Sequence, residues 1–269
     1  MAGTDMKHSA FLFDFTRAIA RAPGASVVVG LRDGEGDDPD FDAVLAEHEA
    51  YILAMRNLGI EVHVLPAAEN FPDSIFVEDS ALVFCEGAIL LRPGAESRAG
   101  ETTLMGPVLA QHFDTLLTLT KGHVDGGDVL VTPDAIVIGL SNRTDRAGAE
   151  ALCALLDTLG KRAIVADTPP GILHFKTGCG MLDEETVFVA PQLADCPAFS
   201  GLRVLVAPEG EEGAANVLRV RDRLFIGDQW PKSRDLIEQH GVRTLNLSVS
   251  EIAKIDAGLS CMSLRWCTD

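Results

Sequence analysis

Apolar residues along this 269-residue chain fall either in short unbroken runs or in longer stretches at helical spacing. Ser26-Val27-Val28-Val29 reads as a short buried strand. From Asp40 to Leu58 the apolar positions Val44, Leu45, Tyr51, Ile52, Met55 and Leu58 recur at helical spacing, and Gly59 supplies a stop. Glu61–Leu65 follows as a strand, and Ser80–Phe84 with Ala88–Leu91 reads as a hairpin around Glu86-Gly87.

The cycle then recurs. The pattern predicts helices over about 102–113, 145–159 and 232–240. It predicts strands at 115–119, 128–131, 135–140, 163–166, 186–190, 204–207, 216–220, 223–226, 244–247 and 260–265. About four or five strand-rich units result, most with one helix, at roughly fifty-residue spacing. A unit that cannot bury its own apolar face must stack on its neighbours. No Ser/Gly-rich linker divides the chain. The expectation is an α/β protein with a flexible lead over residues 1–12 and one domain over 13–269. The charged stretch Arg32–Asp42 reads equally as a mobile flap or an ordinary solvated loop.

Composition narrows the class. Hydrophobic residues make up 47% of the chain, enough for a large core, yet no run reaches membrane-spanning length. The N-terminus carries no apolar stretch leading to a small-residue cleavage site. Six cysteines (85, 153, 179, 196, 261, 267) lack CxxC spacing and read as reduced thiols of a cytoplasmic protein. Cys85, Cys153 and Cys179 read as packing residues, and Cys196 and Cys267 receive no role. Asp and Glu outnumber Lys and Arg by 40 to 22, for a formal charge of −18. That field disfavours nucleic acid and anionic membranes and favours a cationic small-molecule substrate, although much of it is solvated surface.

Several loops hold polar residues where strands end. Phe71-Pro72-Asp73-Ser74-Ile75-Phe76-Val77-Glu78-Asp79 sets three carboxylates around an apolar tripeptide. Val124-Asp125-Gly126-Gly127-Asp128 has twin glycines that let a ligand approach the backbone closely. Asp145, after Ser141-Asn142-Arg143-Thr144, suits a helix N-cap. His174 heads a Gly-broken segment, and Cys261 lies in Gly258-Leu259-Ser260-Cys261-Met262. Taken alone, His174 reads as a satisfied structural histidine and Cys261 as a small buried hydrophobe. No HExxH, P-loop, GxGxxG or GxSxG occurs, so neither a metal nor a nucleotide cofactor is indicated.

Taken together and in order, FPDSIFVED, RPGAESRAGE, DGGDV, GLSNRTDRAGAEAL, LHFKTG and KIDAGLSCMSLRW resemble the dimethylarginine dimethylaminohydrolase family of the guanidino-modifying pentein superfamily. The resemblance runs from about Phe15 to Trp266. It implies a five-bladed α/β propeller of pseudo-repeated ββαβ units. It also implies Cys261 as nucleophile, His174 as general acid and base, and Asp125 as the carboxylate that orients the histidine and meets the guanidinium.

On the same resemblance, Asp79 grips the guanidinium with Glu78 in support, and Thr177 lines the guanidino pocket. Asp73 accepts the α-amine, helped by the carbonyls of Leu31 and Ile255. Arg98 and Arg143 bind the α-carboxylate. The implied reaction is hydrolysis of Nω-methylated arginine to citrulline and a methylamine, without metal or organic cofactor. The alternative is an arginine deiminase-like hydrolase, or one for another small guanidino or ureido compound, with the same Cys-His-Asp site. The oligomeric state is open, a homodimer being one outcome.

Overall fold

The computed structural model describes residues 12–32 and 36–268. Its strands form five three-stranded sheets, each with one antiparallel and one parallel pair. In the first sheet β1 (Arg17–Arg21) is central, with β2 (Glu61–Leu65) parallel to it and β15 (Leu264–Trp266) antiparallel. The second holds β3 (Ala81–Phe84), β4 (Gly87–Leu90) and β5 (Leu116–Thr118), and the third β6 (Val129–Val131), β7 (Ile136–Leu140) and β8 (Ala163–Asp167). The fourth holds β9 (Cys179–Met181), β10 (Thr186–Val189) and β11 (Arg203–Val206). The fifth holds β12 (Leu218–Val220), β13 (Arg223–Gly227) and β14 (Thr244–Leu247).

Each parallel pair needs a crossover. Helices α1 (Phe41–Asn57), α2 (Glu101–Leu109), α3 (Arg146–Thr158) and α4 (Pro231–Gln239) supply four of them. In the fourth sheet two 3-10 turns, Pro191–Leu193 and Pro197–Phe199, take the helix's place. The antiparallel strand of every sheet faces one axial cavity of about 130 Å³, lined from β3, β6, β9, β12 and β15. This is the expected five-bladed propeller of ββαβ units. The pairing of β15 with β1 closes the ring, with Ile19 opposite Leu264.

The strand expected at 26–29 is a 3-10 turn, Ala25–Val29. Val27 is fully buried but Val29 is 70% exposed, so the valine run does not cross a sheet. The strand is instead Arg17–Arg21, whose buried Ala18-Ile19-Ala20 core is flanked by arginines. The segment expected as a strand over 260–265 begins pairing only at Leu264, which leaves Cys261 on a turn. The proposed lead over 1–12 lies outside the described residues except for Leu12, as do residues 33–35 of the charged loop.

The cysteine reading also changes. Cys85 and Cys267 form a disulfide, with Cα atoms 5.7 Å apart across a sequence separation of 182. Cys85 leaves β3 and Cys267 leaves β15, so the bond staples two adjacent blades. Strand adjacency around a ring brings the two sulfurs together, and spacing along the chain carries no trace of that. Cys153, Cys179, Cys196 and Cys261 are free.

Candidate active site

The antiparallel strands share one further property. A 3-10 turn or tight turn precedes each of them, and these turns converge on one face of the ring. Val77–Ser80 leads into β3, Gly126–Asp128 into β6, Phe175–Thr177 into β9, and Glu212–Ala215 into β12. Asp79, Asp125, His174 and Cys261 thus come from four different blades and line a single cavity. Leu31, Asp73, Arg98, Arg143 and Ile255 line the same cavity. Its volume is about 30 Å³, room for about one water.

His174 is the centre of the charge arrangement. Its Nδ1 lies 3.3 Å from Asp128 Oδ2, and its Nε2 lies 3.9 Å from Asp125 Oδ2. Burial opposes protonation of the ring. The hydrogen bond to Asp128 and the charges of Asp79, Asp128 and Asp125 outweigh it and push the pKa up to about 9. His174 is therefore an imidazolium at neutral pH.

Asp128, which received no role from the sequence, is the residue that holds the ring. It is fully buried. Its Oδ2 accepts the hydroxyls of Ser141 and Thr144, both at 2.7 Å, and its Oδ1 accepts the Phe175 N–H at 2.8 Å. The signal was present in Asp125-Gly126-Gly127-Asp128. On a 3-10 turn, residues three apart eclipse, so both carboxylates face one way.

Asp125 does not hold the ring at hydrogen-bond distance. Its Oδ1 accepts the Gly94 N–H at 2.6 Å, while its Oδ2 is buried without a hydrogen bond among the described residues. Burial and the neighbouring charge of Asp79 push its pKa up to about 7. Asp79 is gripped from both sides, with Oδ1 accepting the Gly127 N–H at 2.7 Å and Oδ2 paired to Arg98. Burial works against its ionised form, but Arg98 and His174 prevail and lower its pKa. The twin glycines are steric necessities. A Cβ on Gly126 would fall 1.9 Å from the Glu78 carbonyl, and one on Gly127 would fall 2.9 Å from the His174 ring.

Cys261 is half-buried beside this cluster. Burial, then the charges of Glu78 and Asp79, push its thiol up to about 11, so the unliganded enzyme keeps it protonated. Its loop is well anchored. Buried Glu47 on α1 accepts the hydroxyls of Ser248 and Ser250 and the N–H groups of Glu251 and Ile252. Tyr51 on the same helix bonds Ser263 at 2.6 Å.

Three of the residues that the resemblance implies take other partners or surroundings in this structure. Arg98 lines the cavity, but its guanidinium serves Asp79, Glu101 and the carbonyls of Asp73 and Phe76. It is a brace for Asp79, and Arg143 is the cation at the cavity that forms no ion pair among the described residues. Glu78 turns away into the axial cavity, where it pairs with Lys176 at 2.5 Å and Arg265 at 3.1 Å. Thr177 lines a neighbouring cleft rather than this cavity. Asp73 is buried and lines the cavity, accepting the Leu31 N–H at 2.8 Å.

Donor atoms of Asp79, Asp125 and His174 lie within 4.8 Å of one another, compact enough for a cation. A histidine held protonated to about pH 9 is a poor metal ligand at neutral pH. An organic cation rich in N–H donors suits the set better.

A family model described as "N,N dimethylarginine dimethylhydrolase, eukaryotic" matches residues 35–189. The N(G),N(G)-dimethylarginine dimethylaminohydrolase of Pseudomonas aeruginosa is 36% identical over 94% of this chain and 100% of its own length. The chain belongs to the dimethylarginine dimethylaminohydrolase family. The Streptomyces coelicolor enzyme of the same name is 34% identical over 93% of this chain and 96% of its own. A crystal structure of the Pseudomonas dimethylarginine dimethylaminohydrolase, a Cys-to-Ser mutant complexed with citrulline, superposes with a TM-score of 0.90 at 35% identity. That match covers 93% of this chain and 99% of the other. Membership in this pentein family accounts for the five blades, and the protein is a hydrolase of guanidino C–N bonds.

Proposed function

We propose that this protein hydrolyses Nω-methylated L-arginine to citrulline and the corresponding methylamine, through a covalent thiouronium on Cys261. One observation carries the reading. Asp125 Oδ2 is a buried acceptor without a donor, placed between a protonated histidine and Asp79 in the cavity that Cys261 lines. Leaving such an atom unmet costs about 1–3 kcal/mol. A guanidinium is planar, cationic and purely a donor, and fills it.

The substrate cation, arriving beside a thiol whose pKa is about 11, favours loss of its proton. Sulfur attacks the central guanidino carbon. His174, protonated at neutral pH, gives its proton to the methylated nitrogen, and the C–N bond breaks. Water then enters, loses a proton to the now neutral His174 and attacks the thiouronium carbon. The thiolate leaves, and citrulline is free. Asp73 with the carbonyls of Leu31 and Ile255 takes the α-amine, and Arg143 takes the α-carboxylate. This pairing favours free amino acids over peptidyl arginine. No step calls on a cofactor. The reading places the protein in arginine metabolism; sedimentation decides between monomer and homodimer.

The test is a turnover panel at matched concentrations of arginine, monomethylarginine, asymmetric dimethylarginine and citrulline, with citrulline and amine both measured. Equimolar citrulline and dimethylamine from dimethylarginine is the expected result. Faster ammonia release from arginine would move the protein to the deiminase class.

A further inference from the structure

Beside the catalytic cavity lies a larger cleft of about 440 Å³. Leu173, Asp256 and Ala257 line both spaces and form the partition between them. The far wall comes from the fifth blade, the one that contributes no residue to the catalytic cluster. Asn216 stands just before β12, and Gln229 and Trp230 just after β13. We propose that this cleft is a binding subsite for the small alkylammonium set free in the first half-reaction, and its way out. This rests on the reading given above.

The order of events creates the need. When the C–N bond breaks, the amine departs while the rest of the substrate stays bonded to Cys261. The amino-acid moiety then still fills the mouth between Leu31, Asp73 and Arg143, so the amine cannot leave by the entrance. The axial cavity is a poor alternative, because Lys176, Arg219 and Arg265 line it against the one carboxylate of Glu78, with Lys176 and Arg265 paired to it. The partition at Leu173 adjoins His174, the residue that protonates the departing nitrogen. The amine leaves His174 neutral and takes a second proton from water at neutral pH.

The cleft has the chemistry of an alkylammonium receptor. An indole face attracts a cation at about 0.5–2 kcal/mol, and methyl groups increase the contact area. Amide oxygens of Gln229 and Asn216, which line the cleft, supply acceptors. The side chains are seated deliberately. A Cβ on Gly213 would come within 2.9 Å of Trp230 Cζ2, and one on Gly258 within 2.5 Å of Asn216 Cγ. Asn216 Oδ1 also accepts the Ser260 N–H at 3.1 Å, which joins the cleft to the residue beside the nucleophile.

The test uses full-length protein carrying Cys261→Ser, titrated with dimethylammonium chloride at constant ionic strength while indole fluorescence is followed. The chain has two tryptophans, Trp230 and the buried Trp266. We expect a saturable change, with tetramethylammonium binding more tightly than ammonium. Gln229 is exposed, so Gln229→Lys leaves the fold and the reporter in place and weakens binding at least tenfold. In the active enzyme, dimethylammonium inhibits without competing with dimethylarginine, and Trp230→Leu raises its inhibition constant about tenfold. Absence of saturable binding, or equal binding by Gln229→Lys, overturns the proposal. If dimethylarginine is not hydrolysed but Gln229-dependent binding persists, the cation site stands and the reading of the reaction falls.

Discussion

His174 Nδ1 sits 3.3 Å from Asp128 Oδ2, while the other ring nitrogen faces Asp125 and the cavity. Asp128 is itself fixed by Ser141, Thr144 and the Phe175 amide, so the imidazole has one orientation. Asp128→Asn keeps the shape and removes the charge. We expect kcat to fall by about 10²-fold or more with KM little changed. The alkaline limb of the pH profile should move to lower pH, because a charge that raises the His174 pKa is gone. A mere packing role would leave that limb in place.

The two perturbed groups set the pH window. On the proposed reaction, Asp125 must be ionised to hold a guanidinium, and burial with the charge of Asp79 raises its pKa to about 7. On the same proposal, His174 must be protonated to release the amine, and its pKa is raised to about 9. A plot of kcat/KM against pH should therefore be a bell with limbs near those values, falling on the acid side through Asp125 and on the alkaline side through His174.

Asp125 should trade stability for activity. Its folded-state pKa lies above the ordinary value of 3.8, so folding holds the protonated form more tightly. That advantage is complete below pH 3.8 and disappears as the pH rises through about 7. Asp125→Asn should raise the melting temperature at pH 8 by about 2–4 °C for each kcal/mol regained, while abolishing turnover. An unchanged or lower melting temperature would contradict it.

Gly127→Ala should be inactive although folded. The added methyl meets the His174 ring at 2.9 Å and Asp79 Oδ1 at 3.0 Å, displacing both. Circular dichroism should match the parent, and citrulline formation should drop by about 10²-fold or more.

Cys267→Ser should lower thermal stability by about 2–4 kcal/mol, since the Cys85–Cys267 bond closes a loop of 182 residues. A reductant should destabilise the parent and leave the variant unaffected in the same melting assay.

Period and punctuation made most of the architecture legible. Helix α1 begins at an Asp40 cap and stops at Gly59, as its spacing predicts, and the β3–β4 hairpin turns at Glu86-Gly87. Strand β1 escaped because its apolar run, Ala18-Ile19-Ala20, is short and closed off by Arg17 and Arg21, whereas the run ending in the exposed Val29 imitated a strand. At the site, motif order located Cys261, His174, Asp125 and Asp79. Side-chain direction was beyond its reach. Arg98 bonds to Asp79, Glu78 turns toward Lys176, and Thr177 faces the neighbouring cleft, because partners from other blades decide each orientation. Asp128 was hidden by the same limit, being a turn residue until a histidine from the next blade packs against it.

Closure of the ring by β15 against β1 bears on how the catalyst is assembled. The contact between Ile19 and Leu264 spans nearly the whole folded chain, and pairings of such separation form late because long loops must close first. Three blades can already carry Asp79, Asp125, Asp128 and His174 before β15 docks. On that order, a chain whose β15 has not yet docked carries the site's carboxylates and histidine without its sulfur. Chemical competence and completion of folding become the same event.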